Sequence, residues 1–287
     1  TPKAGLLISI SSFINMISLR VHIFNGQIWY NKKGFKKNFL KFFDKITYNL
    51  SNKIICESFS QKDFLVKEGF VKKNINILGH GSLMGVNTDL FKSKSDVRKK
   101  LRKKFNIKET DKVCMFVGRI NKDKGIDMII KASKYFEKNQ NIFFFLIGEN
   151  EMDSLEFFNM INYRKNIIYI GHQNNIHHLL NIADIVTLPS LREGFGISII
   201  EAASAKKVAL ISNINGLKDT TIHKHTGLFF DPNNQKDFVK KLTILFKNRV
   251  LLKKMGENAR KNVLKKYKRE NVINLYIQYI HNLCRLT

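Results

Sequence analysis

Short apolar runs alternate with amphipathic stretches along the chain from Lys112 onward. "KVCMFVG" is followed by the helical pattern "GIDMIIKASKYFEKN", and "IFFFLIGE" by "SLEFFNMIN". The alternation continues through "NIIYIGH", "NIHHLLNIA", "DIVTLPS", a helix that begins near Gly196, and "VALIS". Apolar runs without internal polar alternation, each followed by a helix, predict a parallel sheet covered on both faces. This half of the chain is therefore predicted to be a doubly wound α/β domain.

The first part of the chain shows the same rhythm in a shorter form. The predicted elements are helices over 4–19, 36–50 and 60–69 and strands at "VHIF", "KIICES" and "INIL". The apolar run in 4–19 is shorter than the ~20 residues that a membrane-spanning helix needs, so it is predicted to be a core helix. The three strands indicate the later half of a second Rossmann-like domain whose opening strands are absent.

Length and composition agree with two domains. A chain of 287 residues with 44% hydrophobic residues can bury a core of about two ordinary domains. We predict two Rossmann-like domains with parallel sheets that face each other across a cleft. Residues 1–91 are assigned to the C-terminal half of the N-terminal domain and 92–270 to the second domain. Helices are predicted over 237–247, 251–266 and 271–284, and the segment 271–287 is predicted to return to the N-terminal domain.

The charge is strongly positive. Fifty Lys and Arg residues against 23 Asp and Glu residues give a formal net charge of +27. Such a charge calls for anionic partners, namely nucleic acid, an acidic membrane surface or phosphorylated substrates. The three cysteines, Cys56, Cys114 and Cys284, lie far apart and have no metal-ligand spacing. Their spacing favours a reducing compartment, and a cytoplasmic location is predicted.

Two motifs follow strands of the predicted second sheet, where open parallel sheets bind ligands. "GRINKDKG" places Arg119 and Lys124 at the lip of the cleft. A guanidinium can grip phosphate with two hydrogen bonds and an ammonium supplies a point charge, so the pair suits a diphosphate. Alone, two cations in so basic a chain also fit a solvated loop.

The second motif, "REGFGISIIEA", places Glu193 and Glu201 on either side of a glycine-rich turn that opens a helix. The unpaired N–H groups of a helix start favour an anion. Carboxylates accept hydrogen bonds from sugar hydroxyls. A sugar joined to a phosphate would satisfy both kinds of group.

Three stretches together, "FVGRINKDKG", "EGFGISIIEA" and "NGLKDTTIHKHTGLFFDP", resemble the retaining glycosyltransferases of family 4, which have the GT-B fold. The resemblance implies that Arg119 and Lys124 hold the donor diphosphate, that Glu193 bonds the transferred sugar and that Glu201 bonds the ribose. It also implies that the turn offers backbone amides. The predicted substrate-binding residues are Gly118, Gly194, Phe195, Gly196, Ile197, Glu201, His172 and Asn25, beside Glu193, Arg119 and Lys124 as catalytic residues.

The early segments "TPKAGLL", "VHIFNGQIW" and "GHGSLMGVN" resemble bacterial enzymes that build capsule, O-antigen or exopolysaccharide units on a lipid carrier. The implied reaction moves a hexose or N-acetylhexosamine from a nucleotide-diphosphate sugar, expected to be a UDP-sugar, to a lipid-linked saccharide. Many relatives carry a histidine where this chain has Asn25, and His22 is out of register with it. Relatives are also longer at the N-terminus. His172 follows a strand where relatives approach the nucleotide base.

The sequence contains no Asp-x-Asp motif, so neither a metal nor another cofactor is expected. Two alternatives stay open at this point. A glycoside hydrolase could use Glu193 and Glu201 as its acid and base without a diphosphate clamp. A basic nucleic-acid-binding protein would explain the charge, but no zinc-finger, RNP or helix-turn-helix pattern is present, and no specific nucleic-acid partner is predicted.

Residues 28–53 interleave lysines and aromatic residues around a single acid, Asp44. Lysines are drawn to anionic lipid, and aromatic rings settle at the headgroup level. Phe39, Phe42 and Phe43 are expected to face the core, so the charge carries the prediction. We predict peripheral docking of this segment on the inner face of the bacterial cytoplasmic membrane.

Overall fold

The first sheet is small and entirely parallel. The computed structural model describes residues 2–71, 75–138 and 141–285. The strands are β1 (Val21–Phe24), β2 (Lys53–Cys56) and β3 (Ile75–Asn76), in the order β1-β2-β3. The helices of this half are α1 (Pro2–Ile14), α2 (Gly34–Leu50) and α3 (Phe59–Lys67). Trp29, Tyr48 and Phe70 form its buried aromatic core.

The second sheet has six parallel strands in the described part of the chain. They are β4 (Lys112–Val117), β5 (Ile142–Ile147), β6 (Ile167–Tyr169), β7 (Ile185–Leu188), β8 (Val208–Ser212) and β9 (Gly227–Phe230). Their order is β6-β5-β4-β7-β8-β9, so the chain runs outward from β4 to β6 and then continues on the other side of β4. The loops after β4 and β7 diverge at this reversal, and such a point leaves a crevice at the carboxyl edge. The predicted α/β class with two parallel sheets is confirmed.

Helices cover both faces of the second sheet. They are α4 (Ser95–Lys104), α5 (Ile126–Tyr135), α6 (Ser154–Ile161), α7 (Ile176–Leu179), α8 (Ile197–Ser204), α9 (Gln235–Lys247), α10 (Arg249–Lys266) and α11 (Arg269–Cys284). Every residue of β7 and β8 is buried. Burial on both faces explains why these strands lack polar alternation.

Several boundaries differ from the predicted ones by local chemistry. Helices α9, α10 and α11 each begin two residues earlier than predicted. Asn234 and Asn248 cap α9 and α10, because their side chains accept hydrogen bonds from the N–H groups of Asp237 and Leu251. Strand β9 has no counterpart among the predicted strands. It is only four residues long and follows the polar stretch "HKHT".

Helix α1 is not the predicted core helix. It ends at Ile14, and Ser9 is its one buried residue among those described. Its apolar side chains, including Leu7 and Ile8, are largely exposed. The reason is that α1 packs mainly on α2, and no other described element makes comparable contact with it. Within the described residues, no helix combines the length and the apolarity that crossing a membrane requires.

The last helix lies against a segment of the first half. The N–H of Val86 donates to Tyr267 O at 2.7 Å, and the N–H of Arg269 donates to Val86 O at 2.9 Å. From α11 itself, the Tyr276 hydroxyl donates to Ser82 O at 3.4 Å. These bonds fix the start of α11 beside residues 82–86. The domain boundaries at 91 and 270 stay predictions.

Direct hydrogen bonds join the two halves beside the crevice. The Ser58 hydroxyl donates to Gly194 O at 3.3 Å, and the Ser60 N–H donates to Asp219 Oδ2 at 3.1 Å. Gly26 approaches so closely that a Cβ there would lie 2.8 Å from the carbonyl carbon of Glu193. The ends of β1 and β2 are thereby held against the loop after β7.

Candidate functional site

A cavity of about 530 Å³ lies between the two sheets, at the carboxyl edge of the six-stranded one. Its walls come from the loops after β4 and β7, the start of α8 and the ends of β1 and β2. Of the predicted site residues, all of which are described, every one except His172 lines it: Asn25, Gly118, Arg119, Lys124, Glu193, Gly194, Phe195, Gly196, Ile197 and Glu201. The structure thus brings the two sequence motifs together, while the roles of their residues stay predictions.

Lys124 and Glu193 form an ion pair in the cavity wall. Lys124 sits at the end of a 3₁₀ turn whose start is capped by Asn121, with Asn121 Oδ1 accepting from the Lys124 N–H at 3.0 Å. The Ser190 hydroxyl also donates to Glu193 Oε1, at 2.9 Å. The side chains of Lys124 and Glu193 are only 18% and 11% exposed, so solvent screens this pair weakly.

Arg119 is held by a carboxylate that no sequence pattern singled out. Its Nη1 lies 2.8 Å from Glu151 Oε1, and Asn121 Nδ2 donates to the other oxygen, Glu151 Oε2, at 2.7 Å. The hydrogen bond from Asn121, together with Arg119, holds the pKa of Glu151 below its usual range. The Arg119 side chain is 60% exposed. Its guanidinium therefore stays accessible to a ligand in the cavity.

The start of α8 faces the cavity without a side-chain cap. Gly196 precedes the helix with a φ of 80°, a left-handed conformation that glycine adopts without strain. The first N–H groups of the helix are therefore open to an anion. Phe195 is different from its neighbours, since it is almost fully buried and its ring lies 5.4 Å from that of Tyr267. Its buried ring packs against Tyr267 and so stabilises the turn.

Two carboxyl groups in the cavity have raised pKa values. Burial raises the pKa of Glu201 to about 7, against an opposing effect of Arg269. Burial also raises the pKa of Glu57 to about 7, and the charge of Glu193 adds to the rise. Glu57 follows β2 and lines the cavity wall that belongs to the first half. No sequence motif predicted it, although its place directly after a strand was a usable signal.

Arg192 connects several segments of the cavity wall. No sequence motif predicted this role. Its Nη2 lies 3.0 Å from Asp123 Oδ2, which joins the loop after β7 to the loop after β4. Its Nη1 donates to Gly26 O at 3.4 Å, which reaches the first half. Arg192, itself in the loop after β7, thus joins that loop to two other segments that enclose the cavity.

The histidines lie outside this arrangement. His172 is exposed, with its Nε2 3.2 Å from Asn174 Oδ1, and it does not line the cavity. His22 lies on β1 against Gly5 of α1, and burial lowers its pKa. Asn25 does line the cavity. Its carbonyl accepts a hydrogen bond from Gln27 Nε2 at 2.9 Å, which fixes the end of β1.

A metal site was sought among the acidic, histidine and cysteine side chains. In residues 2–71, 75–138 and 141–285, no three such side chains converge to hold an ion. The expectation of a metal-free reaction stays a prediction.

Comparison with known proteins identifies the family. The sequence profile described as "Glycosyl transferases group 1" matches residues 97–262, more than half of the chain. The chain belongs to this family. The assignment covers both loops that carry Arg119, Lys124, Glu193 and Glu201. It makes the protein a glycosyltransferase and displaces the glycoside hydrolase alternative.

Curated relatives of this glycosyltransferase include capsule and lipid-linked saccharide enzymes. The "Capsular polysaccharide biosynthesis glycosyltransferase CapM" of Staphylococcus aureus is 31% identical over 274 residues, which are 93% of this chain and 71% of the relative. An Escherichia coli relative, "UDP-Gal:alpha-D-GlcNAc-diphosphoundecaprenol alpha-1,3-galactosyltransferase", is 26% identical over 98% of this chain and 74% of its own length. The predicted resemblance to capsule and O-antigen enzymes is therefore confirmed.

Solved structures show the fold. HepE from Anabaena in complex with UDP-glucose superposes with a TM-score of 0.83 at 17% identity, over 99% of this glycosyltransferase and 77% of that chain. A glycosyltransferase from Rickettsia africae superposes with a TM-score of 0.75 at 20% identity, over 99% of this chain and 81% of that one. These neighbours confirm the predicted GT-B fold.

Proposed function

We propose that the chain transfers a hexose or N-acetylhexosamine, with retention of configuration, from a nucleotide-diphosphate sugar to a lipid-linked or growing surface polysaccharide. One observation carries the proposal. Arg119, Lys124, an uncapped helix start, Glu193 and Glu201 line a single cavity at the strand-order reversal. Cations and open N–H groups suit a diphosphate, and the acids suit hydroxyls. A nucleotide sugar offers all of these groups.

The names of relatives support UDP as the nucleotide and an undecaprenyl diphosphate as the lipid. The Escherichia coli relative is named for UDP-galactose and a diphosphoundecaprenol acceptor. A Campylobacter jejuni relative is named for an N-acetylgalactosaminyl transfer to another diphospho-undecaprenol. HepE was solved with UDP-glucose. For this chain we therefore propose only the class of the sugar, namely a hexose or an N-acetylhexosamine.

The proposed residue roles follow from position. Arg119, Lys124 and the amides of residues 194–197 take the diphosphate, Glu193 a hydroxyl of the sugar and Glu201 the ribose. During transfer the bond from the anomeric carbon to the diphosphate oxygen breaks, and its electron pair leaves with the nucleotide. The acceptor oxygen bonds to that carbon, and its proton passes to the departing diphosphate oxygen. Cations beside the leaving diphosphate stabilise the charge it gains.

Calorimetry with nucleotides tests the proposal. UDP, GDP and their glucose, galactose and N-acetylglucosamine derivatives are titrated into the chain, and release of nucleotide is followed with a synthetic prenyl-diphosphate N-acetylglucosamine as acceptor. Saturable binding of one nucleotide series is expected. The anomer formed, read by NMR, tests retention. Absence of binding by every nucleotide would remove the proposed function.

The two acids are expected to behave differently on substitution. Glu201→Gln should weaken binding of bare UDP by about 5- to 20-fold, because a charged hydrogen bond to the ribose is lost. Glu193→Gln should leave UDP within about threefold of the parent and reduce sugar transfer instead. Isothermal titration with UDP and a transfer assay measure the two effects. Equal UDP affinity in both variants and the parent would refute the ribose role of Glu201.

Membrane docking is proposed for α2 and the residues before it. Phe35 is 84% exposed, and Phe39 and Phe42 are also exposed, so the expectation that these last two face the core is wrong. The residues around them are turned outward because α2 packs its other side on the core. Lys33 and Lys36 are exposed beside these rings. Such a surface suits an anionic bilayer that carries a lipid-linked acceptor.

Other members of the segment serve the fold. Trp29 is fully buried, and its Nε1 donates to Asp44 Oδ2 at 2.7 Å. Lys37 and Lys41 each lie 2.6 Å from a carboxylate oxygen of Glu68. These side chains are therefore unsuitable for testing membrane contact. The exposed lysines are the ones to change.

Changing the exposed Lys33, Lys36 and Lys45 to Gln should weaken co-sedimentation with phosphatidylglycerol vesicles by about 100-fold, since each basic residue near an anionic surface contributes about 1 kcal/mol. The matched control changes Lys99, Lys100 and Lys103, which are exposed on α4, and removes the same charge. The control should bind within about threefold of the parent. Equal loss in both variants would mean that net charge, rather than this surface, attracts the lipid.

A further inference from the structure

The cations and the Glu57 carboxylate line different walls of the cavity. Arg119, Lys124 and Arg192 come from the loops of the six-stranded sheet, whereas the first half contributes Asn25, Gly26 and Glu57, with no cation among the described lining residues. A diphosphate is attracted to the cations and repelled by the Glu57 carboxylate. A ligand whose phosphates contact Arg119 therefore directs its uncharged end toward Glu57.

Glu57 is held rigidly and points into this cavity. Its backbone N–H donates to Gln61 Oε1 at 3.2 Å, and its carbonyl accepts from the Ser82 N–H at 2.8 Å. The residue is only 9% exposed. Its carboxylate meets the loop after β7, because a Cβ on Gly194 would lie 2.6 Å from Glu57 Oε2. The carboxylate thus stands at the junction of the two halves, beside Glu193.

The Glu57 carboxylate lacks a partner in the part of the chain that the structure describes. No group of residues 2–71, 75–138 or 141–285 donates a hydrogen bond to it or forms an ion pair with it. Burial and the neighbouring Glu193 raise its pKa, as expected for a carboxyl group without a cation. Buried polar groups are normally hydrogen-bonded. The Glu57 oxygens are not among the fully buried unpartnered atoms of the described residues, so they open to the cavity, where a ligand group can supply the partner.

The groups around the Glu57 carboxylate restrict which kind of ligand group can contact it. A phosphate is disfavoured by two adjacent carboxylates, and no third acidic, histidine or cysteine side chain of the described residues completes a metal site. A hydroxyl fits, since it donates to a carboxylate and also accepts from a protonated carboxyl group. Sugar hydroxyls are the hydroxyls that the cavity would receive.

We propose that Glu57 is a sugar-binding residue, which hydrogen-bonds a hydroxyl of the transferred sugar from the wall opposite the donor loops and so contributes to the choice of sugar. This inference rests on the proposed function. Glu193 and Glu57 then hold the same sugar from the two halves of the protein. A nucleotide without its sugar gains nothing from Glu57.

The test is the ratio of affinities for a UDP-sugar and for UDP. Calorimetry on the full chain measures UDP, UDP-glucose, UDP-galactose, UDP-N-acetylglucosamine and UDP-N-acetylgalactosamine, with the GDP series beside them. For the sugar that the parent binds best, Glu57→Gln and Glu57→Ala should lower the ratio about tenfold. UDP itself should bind within about twofold of the parent. The order of preference among the sugars should also flatten.

A control variant at the same junction distinguishes a direct contact of Glu57 with the sugar from a role in holding the two halves together. Asp219→Asn weakens the link from Asp219 to Ser60, which joins the two halves outside the cavity lining. It should lower the melting temperature and leave the UDP-sugar to UDP ratio unchanged. Glu57→Gln keeps the volume of the side chain, so it guards against failure of the alanine variant to fold.

Every other outcome overturns either the inference about Glu57 or the proposed function. An unchanged ratio in both Glu57 variants overturns the inference while the proposed function stands. Equal weakening of UDP and UDP-sugar shows that Glu57 only supports the fold, and also overturns it. If the parent binds no nucleotide of either series, the proposed function itself fails, and the role of Glu57 as a sugar ligand fails with it.

Discussion

Replacing Lys124 with methionine is expected to raise the Kd for UDP about 100-fold. A charged hydrogen bond contributes about 1.5–3 kcal/mol, which corresponds to roughly 10- to 150-fold in affinity. The upper end applies because Lys124 is mostly buried and is also the cation of Glu193. Without it, the Glu193 carboxylate faces the incoming diphosphate and repels it. Isothermal titration at pH 7.5 measures the change.

Lys122 provides the matched control, because it lies on the same short turn as Lys124. Its side chain is 67% exposed, pairs with Glu156 and does not line the cavity. Lys122→Met removes the same charge and should leave the Kd for UDP within about twofold of the parent. Parental affinity in the Lys124 variant would show that the diphosphate binds elsewhere. A similar loss in both variants would mean that only the general positive field matters.

Gly125→Ala is expected to lower the free energy of unfolding by about 3–5 kcal/mol. Gly125 has a φ of 71° between the turn of Lys124 and helix α5. A Cβ there would lie 2.0 Å from Pro189 O, and that oxygen belongs to backbone that cannot move aside without disturbing the end of β7. The variant should lose UDP affinity as well, since the turn presents Lys124. Urea denaturation gives the stability change.

Gly171→Ala separates the cost of a left-handed backbone from the cost of the contact with Pro189 O. Gly171 has a similar φ of 68°, but nothing lies within 4 Å of the position its Cβ would take. Its substitution carries only the left-handed backbone cost, about 1 kcal/mol. A Gly125 variant as stable as the Gly171 variant would show that the contact with Pro189 O relaxes freely.

Five of the six described strands of the second sheet were predictable, because burial on both faces leaves continuous apolar runs in the sequence. "VALIS" reads as a strand without further information and is β8 from its first residue to its last. The position of the site was predictable from these strands, because residues directly after strands of one parallel sheet meet at one edge. Arg119, Lys124, Glu193 and Glu201 indeed line one cavity.

Long-range complementarity is what the sequence could not reveal. Glu151 and Glu57 look like ordinary acids, and their meaning depends on which strand end faces which across the crevice. The environment of α1 was mispredicted for the same reason. Its apolar composition is real, but burial depends on a covering element, and the described residues supply mainly α2. Local periodicity carries no information about such partners.

Each cation of the described cavity lining already holds an internal carboxylate: Glu193 for Lys124, Glu151 for Arg119 and Asp123 for Arg192. An anion that enters competes with these carboxylates for the hydrogen bonds of the cations. Inorganic phosphate or pyrophosphate satisfies the cations but offers a neighbouring carboxylate few or no hydrogen-bond donors, whereas a nucleotide sugar brings hydroxyls. The ion pairs therefore favour a nucleotide sugar over a small inorganic anion. A protein with fifty Lys and Arg residues can in this way keep one basic site open for a ligand that is both charged and rich in hydroxyl groups.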